Sequence, residues 1–275
     1  MRKIIYILIA AGLIAGGWWL YTTNEHVTGF VQQYVENGEF ITLKARYTPE
    51  QIMELHRKEL LVDDQHSYKE SAIKYQPYLL LDVKYSQADK KTREGILFWS
   101  LVNGEMVLNS DTWEQTHGFE DAINANATRT DFQLMYALAK NKGTANFDQL
   151  KKELHVENET LQTWVNSALG KHLVIQKGND IQLHFQDPKI LVMPETKGND
   201  MLVKKPYNYA QRMTRKYNVN QIQKIAKVAF GDDFTIRRST EVFLPVYSIE
   251  VLNPDGSIFT SYWNAVNGQR IPTRI

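Results

Sequence analysis

A short phrase occurs twice in this chain, and it limits the possible folds more than any other feature. Residues 98–104 read Phe98-Trp99-Ser100-Leu101-Val102-Asn103-Gly104, and residues 262–268 read Tyr262-Trp263-Asn264-Ala265-Val266-Asn267-Gly268. A second match lies upstream of each copy: Tyr47-Thr48-Pro49-Glu50-Gln51-Ile52 against Tyr217-Asn218-Val219-Asn220-Gln221-Ile222. The upstream copies start 170 residues apart (Tyr47 to Tyr217) and the downstream ones 164 (Phe98 to Tyr262), so a loop six residues longer in the first copy reconciles them. The pattern predicts two related modules, each a helix followed by antiparallel strands, within a length that suits about two domains.

Composition allows ordinary cores: 43% of the 275 residues are apolar and 23% charged. The 32 basic and 31 acidic residues leave a net charge of +1, so no global field holds nucleic acid or a cationic partner. There is no cysteine, which excludes disulfides, thiolate nucleophiles and Cys-ligated metals. Arg2 and Lys3 precede Ile4–Tyr21, a run without a charge. At 1.5 Å per residue that run reaches about 27 Å, close to the hydrocarbon thickness of a bilayer. Trp18, Trp19 and Tyr21 sit where an interfacial belt belongs, and the next cation is Lys44. The expectation is a transmembrane anchor over residues 1–22, N-terminus in the cytoplasm and body outside. A cleaved signal peptide, with Ala15-Gly16-Gly17 as the cleavage region, is the alternative and also exports the body.

Val27, Phe30, Val31, Tyr34 and Val35 have helical spacing. Thr48, Pro49 and Gln51 form a capping box opening a helix with Ile52, Leu55 and Leu60 inward. Leu79, Leu81, Val83 and Tyr85 alternate as in a strand, and Asn103-Gly104 signals a hairpin between 96–102 and 106–108. Asp111 is expected to cap a short helix through Glu114. Further on, helices are expected over 131–139, 147–154 and 160–169, followed by a hairpin turning at Lys177-Gly178-Asn179-Asp180. Three helices and a hairpin follow the pattern of a winged helix. Pro188, Pro194 and Gly198 mark a linker. A helix over 219–230 then precedes strands at 234–236, 246–252 and 257–263.

The C-terminal stretch Tyr247-Ser248-Ile249-Glu250-Val251, Asp255-Gly256 and Asn264-Ala265-Val266-Asn267-Gly268-Gln269-Arg270-Ile271 resembles a PepSY-type module over about 60 residues. Asn264 stands in place of that family's usual acidic residue and Asn267 in place of its usual threonine. The resemblance implies a bacterial envelope setting and a non-catalytic role, binding or restraining partners. The N-terminal copy resembles the family only through its repeat with the C-terminal one.

The expected architecture is therefore α+β: a transmembrane helix at 1–22, PepSY-like modules at 27–125 and 207–275, and a winged-helix-like domain at 128–187 joined by a linker at 188–206. No residue is assigned as catalytic, cofactor-binding or metal-binding. The helix at 160–169 exposes Gln162, Thr163 and Asn166 and has no arginine, which argues against reading DNA. His56 and His66 lack a metal-binding spacing and read as solvated residues, while His117 and His155 read as carbonyl caps. Trp99 and Trp263 read as core, and Asn103 and Asn267 as turn residues that tolerate positive φ. Arg237-Arg238 is a basic patch that suits solvent, acidic partners or anionic lipid.

The function expected is that of a non-catalytic protein, held in a bacterial inner membrane by its N-terminal helix, that binds or restrains a protein partner outside the cytoplasm. The alternatives are a membrane-anchored winged-helix regulator, which needs the opposite topology, and an envelope hydrolase whose site no motif reveals.

Overall fold

The structure is a computed structural model describing residues 38–86, 91–198, 201–206 and 210–272. It divides into a small unit, Met1–Ile41 with Lys204–Ala210, and a main unit, Thr42–Val203 with Gln211–Ile275. The described part of the small unit holds the ends of strands β1 (Glu39–Leu43) and β9 (Leu202–Pro206), which pair with each other. The main unit carries the described helices and the remaining strands.

Its centre is a pair of very long antiparallel strands, β2 (Ser67–Ser86) and β11 (Thr235–Leu252), of 20 and 18 residues. They pair over nearly their whole lengths, from Thr235↔Lys84 to Leu252↔Ser67. Beside β2 lie β3 (Thr92–Ser100), β4 (Met106–Asn109) and β5 (Glu114–Gln115). Beside β11 lie β12 (Ile258–Asn264) and β13 (Arg270–Ile271). The order is β13-β12-β11-β2-β3-β4-β5. A short strand β10 (Gln211–Arg212) runs parallel to β2 at Lys74 and Tyr75, and Thr42 of β1 is parallel to Phe243 of β11.

The two copies are thus related by a local two-fold through the Gln76↔Leu244 pair. Pro77 and Pro245 flank it, each where its strand changes neighbour: β2 from β10 to β3, and β11 from β1 to β12. A proline costs least there, because a missing N–H removes no ladder bond at a change of partner. Their carbonyls serve equivalent roles, Pro77 accepting from Leu101 N–H (3.1 Å) and Pro245 from Ala265 N–H (3.0 Å).

The helices are exchanged between copies. Helix α1 (Pro49–Leu55), opened by the Thr48–Gln51 capping box, continues into α2 (Arg57–Leu60). It packs Ile52 and Leu60 against Ile249, Val251 and Trp263, all from the second copy. Helix α7 (Val219–Phe230), opened by the equivalent Asn218–Gln221 box, packs Ile222, Ile225, Ala226 and Ala229 over the first copy's core of Leu79, Leu81, Val83, Leu97 and Trp99. Main-chain bonds fix each exchange. Arg46 and Tyr47 N–H donate to Ala265 O (2.8 and 3.0 Å), and Lys216 and Tyr217 N–H donate to Leu101 O (2.8 and 2.9 Å).

Between the copies run α3 (Phe119–Asn124), α4 (Arg129–Lys140), β6 (Thr144–Asn146), α5 (Phe147–Leu154), α6 (Asn158–Gly170), β7 (Val174–Lys177) and β8 (Asp180–Leu183). The three strands form their own sheet, β6-β8-β7. Helices α3 to α6 share one continuous core with α7 and the β2–β3 strands.

The expected fold class is corrected. In place of an α+β chain with two separate modules flanking a middle domain, the described residues form a mixed α/β fold with seven helices, one large sheet and a small one. The physical reason is the exchange: each copy's helix covers the other's strands, and both copies share the β2–β11 ladder. No helix among the described residues is long and apolar enough to cross a membrane. The expected anchor at 1–22 and the helix at 27–35 lie outside the described residues.

Smaller corrections follow from the same chain. Leu55 is exposed, not inward. Residues 111–114 do not form a helix: the Asn109 carboxamide accepts from Asp111 N–H (2.8 Å) in a turn that leads into β5. Strand β2 begins at Ser67, eleven residues before Tyr78, because the polar run Ser67–Ser71 pairs with β11 although it lacks clean alternation.

Candidate functional site

The two turns are built bond for bond alike. Gly104 N–H donates to Ser100 O and Gly268 N–H to Asn264 O, while Ser100 N–H reaches Glu105 O and Asn264 N–H reaches Gln269 O. The turn asparagines do not adopt the positive φ that asparagine tolerates. Gly104 (φ 71) and Gly268 (φ 72) do, and each asparagine side chain instead accepts the N–H two residues on, from Glu105 (3.2 Å) and Gln269 (2.9 Å).

Around this shared frame the copies diverge. In the first, Asn103 Nδ2 donates to Gln115 Oε1 (2.9 Å), presented by β5. Gln115 Nε2 and Trp113 Nε1 in turn donate to the Tyr78 hydroxyl (3.1 and 3.0 Å). Burial pushes the Tyr78 phenol up to about 12, against the opposing pull of hydrogen bonds from Trp113, Ser100 and Gln115. In the second copy, Asn264 and Asn267 each carry a buried Nδ2 with no hydrogen-bond partner. Neither amide can be turned over to remedy this, because each Oδ1 already accepts a main-chain N–H, from Val266 (2.8 Å) and Gln269 (2.9 Å). A buried donor left unpaired costs about 1–3 kcal/mol, so two in one turn need an explanation.

Both asparagines line a groove of about 450 Å³ astride the local two-fold, within the usual span of small-ligand clefts. Its floor includes Gln76 at the axis. Tyr78, Trp113, Val246 and Tyr262 give it apolar walls, and Asn103, Gln115 and Gln269 add amides. Among the described residues no carboxylate lines it, and the one cation that does, Arg270, is bonded to Glu59 (2.8 Å). The described lining combines apolar walls with neutral amide donors, an arrangement that can bind carbonyl or carboxylate oxygens.

The other residues read from the sequence lie apart from this groove or behind it. His56 stacks on Trp263 at 4.3 Å between ring centroids, and its Nε2 meets Gly268 O at 2.9 Å. His66 bonds to Asp63 (2.6 Å), which holds that carboxyl below its ordinary range. His117 Nδ1 meets the Asp187 carbonyl (3.3 Å), and His155 ends α5 in the left-handed region. Among the described residues no three His, Asp or Glu side chains gather as a metal site would require. Arg237 and Arg238 are not an open patch: they pair with Glu94 and Asp82 at 2.7 Å each. The sheet tryptophans, Trp99 and Trp263, are fully buried. Asn264 was legible only as a departure from the PepSY-type phrase, and its orphaned amide depends on contacts that no local pattern encodes. No family model, curated protein or solved structure matches this chain.

Proposed function

We propose that this chain is a non-catalytic, membrane-anchored binding protein that holds a protein partner outside the cytoplasm in the groove between its two repeats. The observation that carries the reading is the pair of oriented, unpartnered donors, Asn264 and Asn267, in a groove with apolar walls. Such a surface favours recognition of a polypeptide, which offers carbonyl oxygens at regular spacing beside apolar side chains. The apolar N-terminal run behind Arg2-Lys3 supports the anchor and the export of the body. The resemblance of residues 247–271 to PepSY-type modules supports a restraining role.

The test places a photo-crosslinking residue at Tyr262, in the groove, and in a separate variant at Lys152, on α5. The groove probe is expected to trap one envelope protein that the α5 probe does not. The purified partner should bind the wild-type body and fail to bind Tyr262→Arg. Identical crosslinks from both positions, or turnover of a substrate by the purified body, would overturn the reading.

A further inference from the structure

Resting on the reading above, we infer that the second repeat binds an extended peptide by strand addition to β13, with a side-chain or main-chain carbonyl of that peptide accepting from Asn267 Nδ2. The first repeat supplies the template, because there the equivalent place is filled by the chain's own β5. Met106 N–H donates to Thr116 Oγ1 and Met106 O accepts from Thr116 N–H (both 2.8 Å), while Gln115 delivers its carbonyl to Asn103. Arg270 is the counterpart of Met106. Trp99↔Met106 and Trp263↔Arg270 have the same register, and Ser100–Glu105 and Asn264–Gln269 make the same closing bond before it. The Arg270 main-chain N–H and C=O therefore point away from β12, as those of Met106 point away from β3 and toward β5. An added strand would meet the same three anchors: two main-chain groups on β13 and one turn amide.

The differences between copies define the peptide. Val246 stands where the first repeat has Tyr78, so a side chain in Trp113's place meets an apolar wall and no hydroxyl. Asn264 stands where the first repeat has Ser100, whose hydroxyl bonds to Tyr78; with Val246 in Tyr78's place, the Asn264 amide is left for an acceptor from outside. The ligand class is an extended segment with an apolar residue followed two places later by a glutamine or asparagine.

The experiment uses the full chain and a labelled synthetic peptide with the sequence of residues 111–117, Asp-Thr-Trp-Glu-Gln-Thr-His, its binding read by fluorescence anisotropy. The variants are Asn267→Asp and, as control, Asn166→Asp on the exposed face of α6. Each keeps an Oδ1 that accepts a hydrogen bond, from Gln269 N–H and from Gln162 Nε2, and replaces only the donor. The peptide is expected to bind the wild type, to bind Asn267→Asp at least about tenfold more weakly, and to bind Asn166→Asp as it binds the wild type. A peptide carrying Gln115→Leu should lose affinity for the wild type but lose little more on Asn267→Asp. Absence of binding up to about 1 mM, or equal binding to wild type and Asn267→Asp, overturns strand addition at this site. The broader function is judged separately: a photo-crosslinked partner that binds Asn267→Asp undiminished would leave a binding role standing by another contact, and loss of every partner would remove both.

Discussion

Position 105 shows how two copies of one turn acquire different duties. Glu105 is fully buried, yet its carboxylate has four donors: Thr116 Oγ1 (2.6 Å) and the N–H groups of Gly118 (3.0 Å), Phe119 (3.3 Å) and Glu120 (3.1 Å). It caps α3 from outside the helix, and a buried charge is tolerable only when bonded this fully. Its counterpart Gln269 is exposed and lines the groove. Glu105→Gln keeps the shape but turns a donor toward other donors. It is expected to cost about 2–3 kcal/mol by urea denaturation, while Gln269→Ala stays within about 0.5 kcal/mol. Tyr78 gives a pH signature. Its phenol titrates higher in the folded chain than the ordinary value of 10.0, near 12, so the neutral form is the one that folding prefers. That preference is complete below pH 10 and is lost as pH rises toward 12, by about 3 kcal/mol in all. The difference in stability between wild type and Tyr78→Phe should therefore shrink over this window, and denaturation curves at pH 9 and pH 11.5 decide it. A difference that does not change with pH would show that the hydroxyl titrates normally.

At the scale of elements, what the sequence made legible was local. The capping box at Thr48 and the helices over 147–154 and 219–230 all carry their signals within a few residues, and the structure has them in place. Strand β2 was only half visible. Its second half, 79–85, alternates because one face covers the first copy's core; its first half, 67–75, lies alongside β11, and its polar side chains hide the strand. The exchange of α1 and α7 was not visible at all, since a helical stripe shows that a face is buried and not which sheet buries it. The groove was unreadable for the same reason: Asn103 and Asn267 each look like ordinary turn residues until both turns are brought to one axis. The exchanged contacts make unequal demands on the two turn glycines. Both have φ near 70°, so any side chain is strained there. A methyl group at Gly104 would also lie 2.9 Å from Ile123 Cδ1 and 3.0 Å from the Tyr217 ring, whereas at Gly268 it would find the Tyr47 ring at 3.4 Å. Gly104→Ala is expected to lower the melting temperature clearly more than Gly268→Ala, whose cost of about 1–2 kcal/mol is that of the backbone alone. Equal losses would mean that Tyr217 yields freely and that the α7 contact is loose.

For the molecule as a whole, the exchange makes each repeat depend on the other. In a chain of independent modules, residues 201–275 would contain a helix and the strands it covers, and would fold alone. Here α7 covers strands of the first repeat, and among the described residues the helix against Trp263 comes from residues 49–60. Removing the first repeat takes away β2 as well, and with it the long ladder that runs from Thr235 to Leu252. What remains is a hairpin with one bare face and a helix with nothing beneath it, too little buried apolar surface to offset the entropy of ordering the chain. A fragment of residues 201–275 is therefore expected to be unfolded by far-UV circular dichroism. Mixing it with a fragment of residues 38–198 should restore the sheet, because every exchanged contact lies between the two pieces. Trp263 is the only tryptophan in the shorter fragment, so with the longer fragment's tryptophans replaced by phenylalanine it reports the event alone. Its emission should shift to the blue and saturate at one-to-one stoichiometry as α1 closes over the ring. Should the 201–275 fragment instead fold by itself with a buried Trp263, α1 would be dispensable to the second repeat. The groove would then be the property of a self-sufficient module and not of the paired repeats.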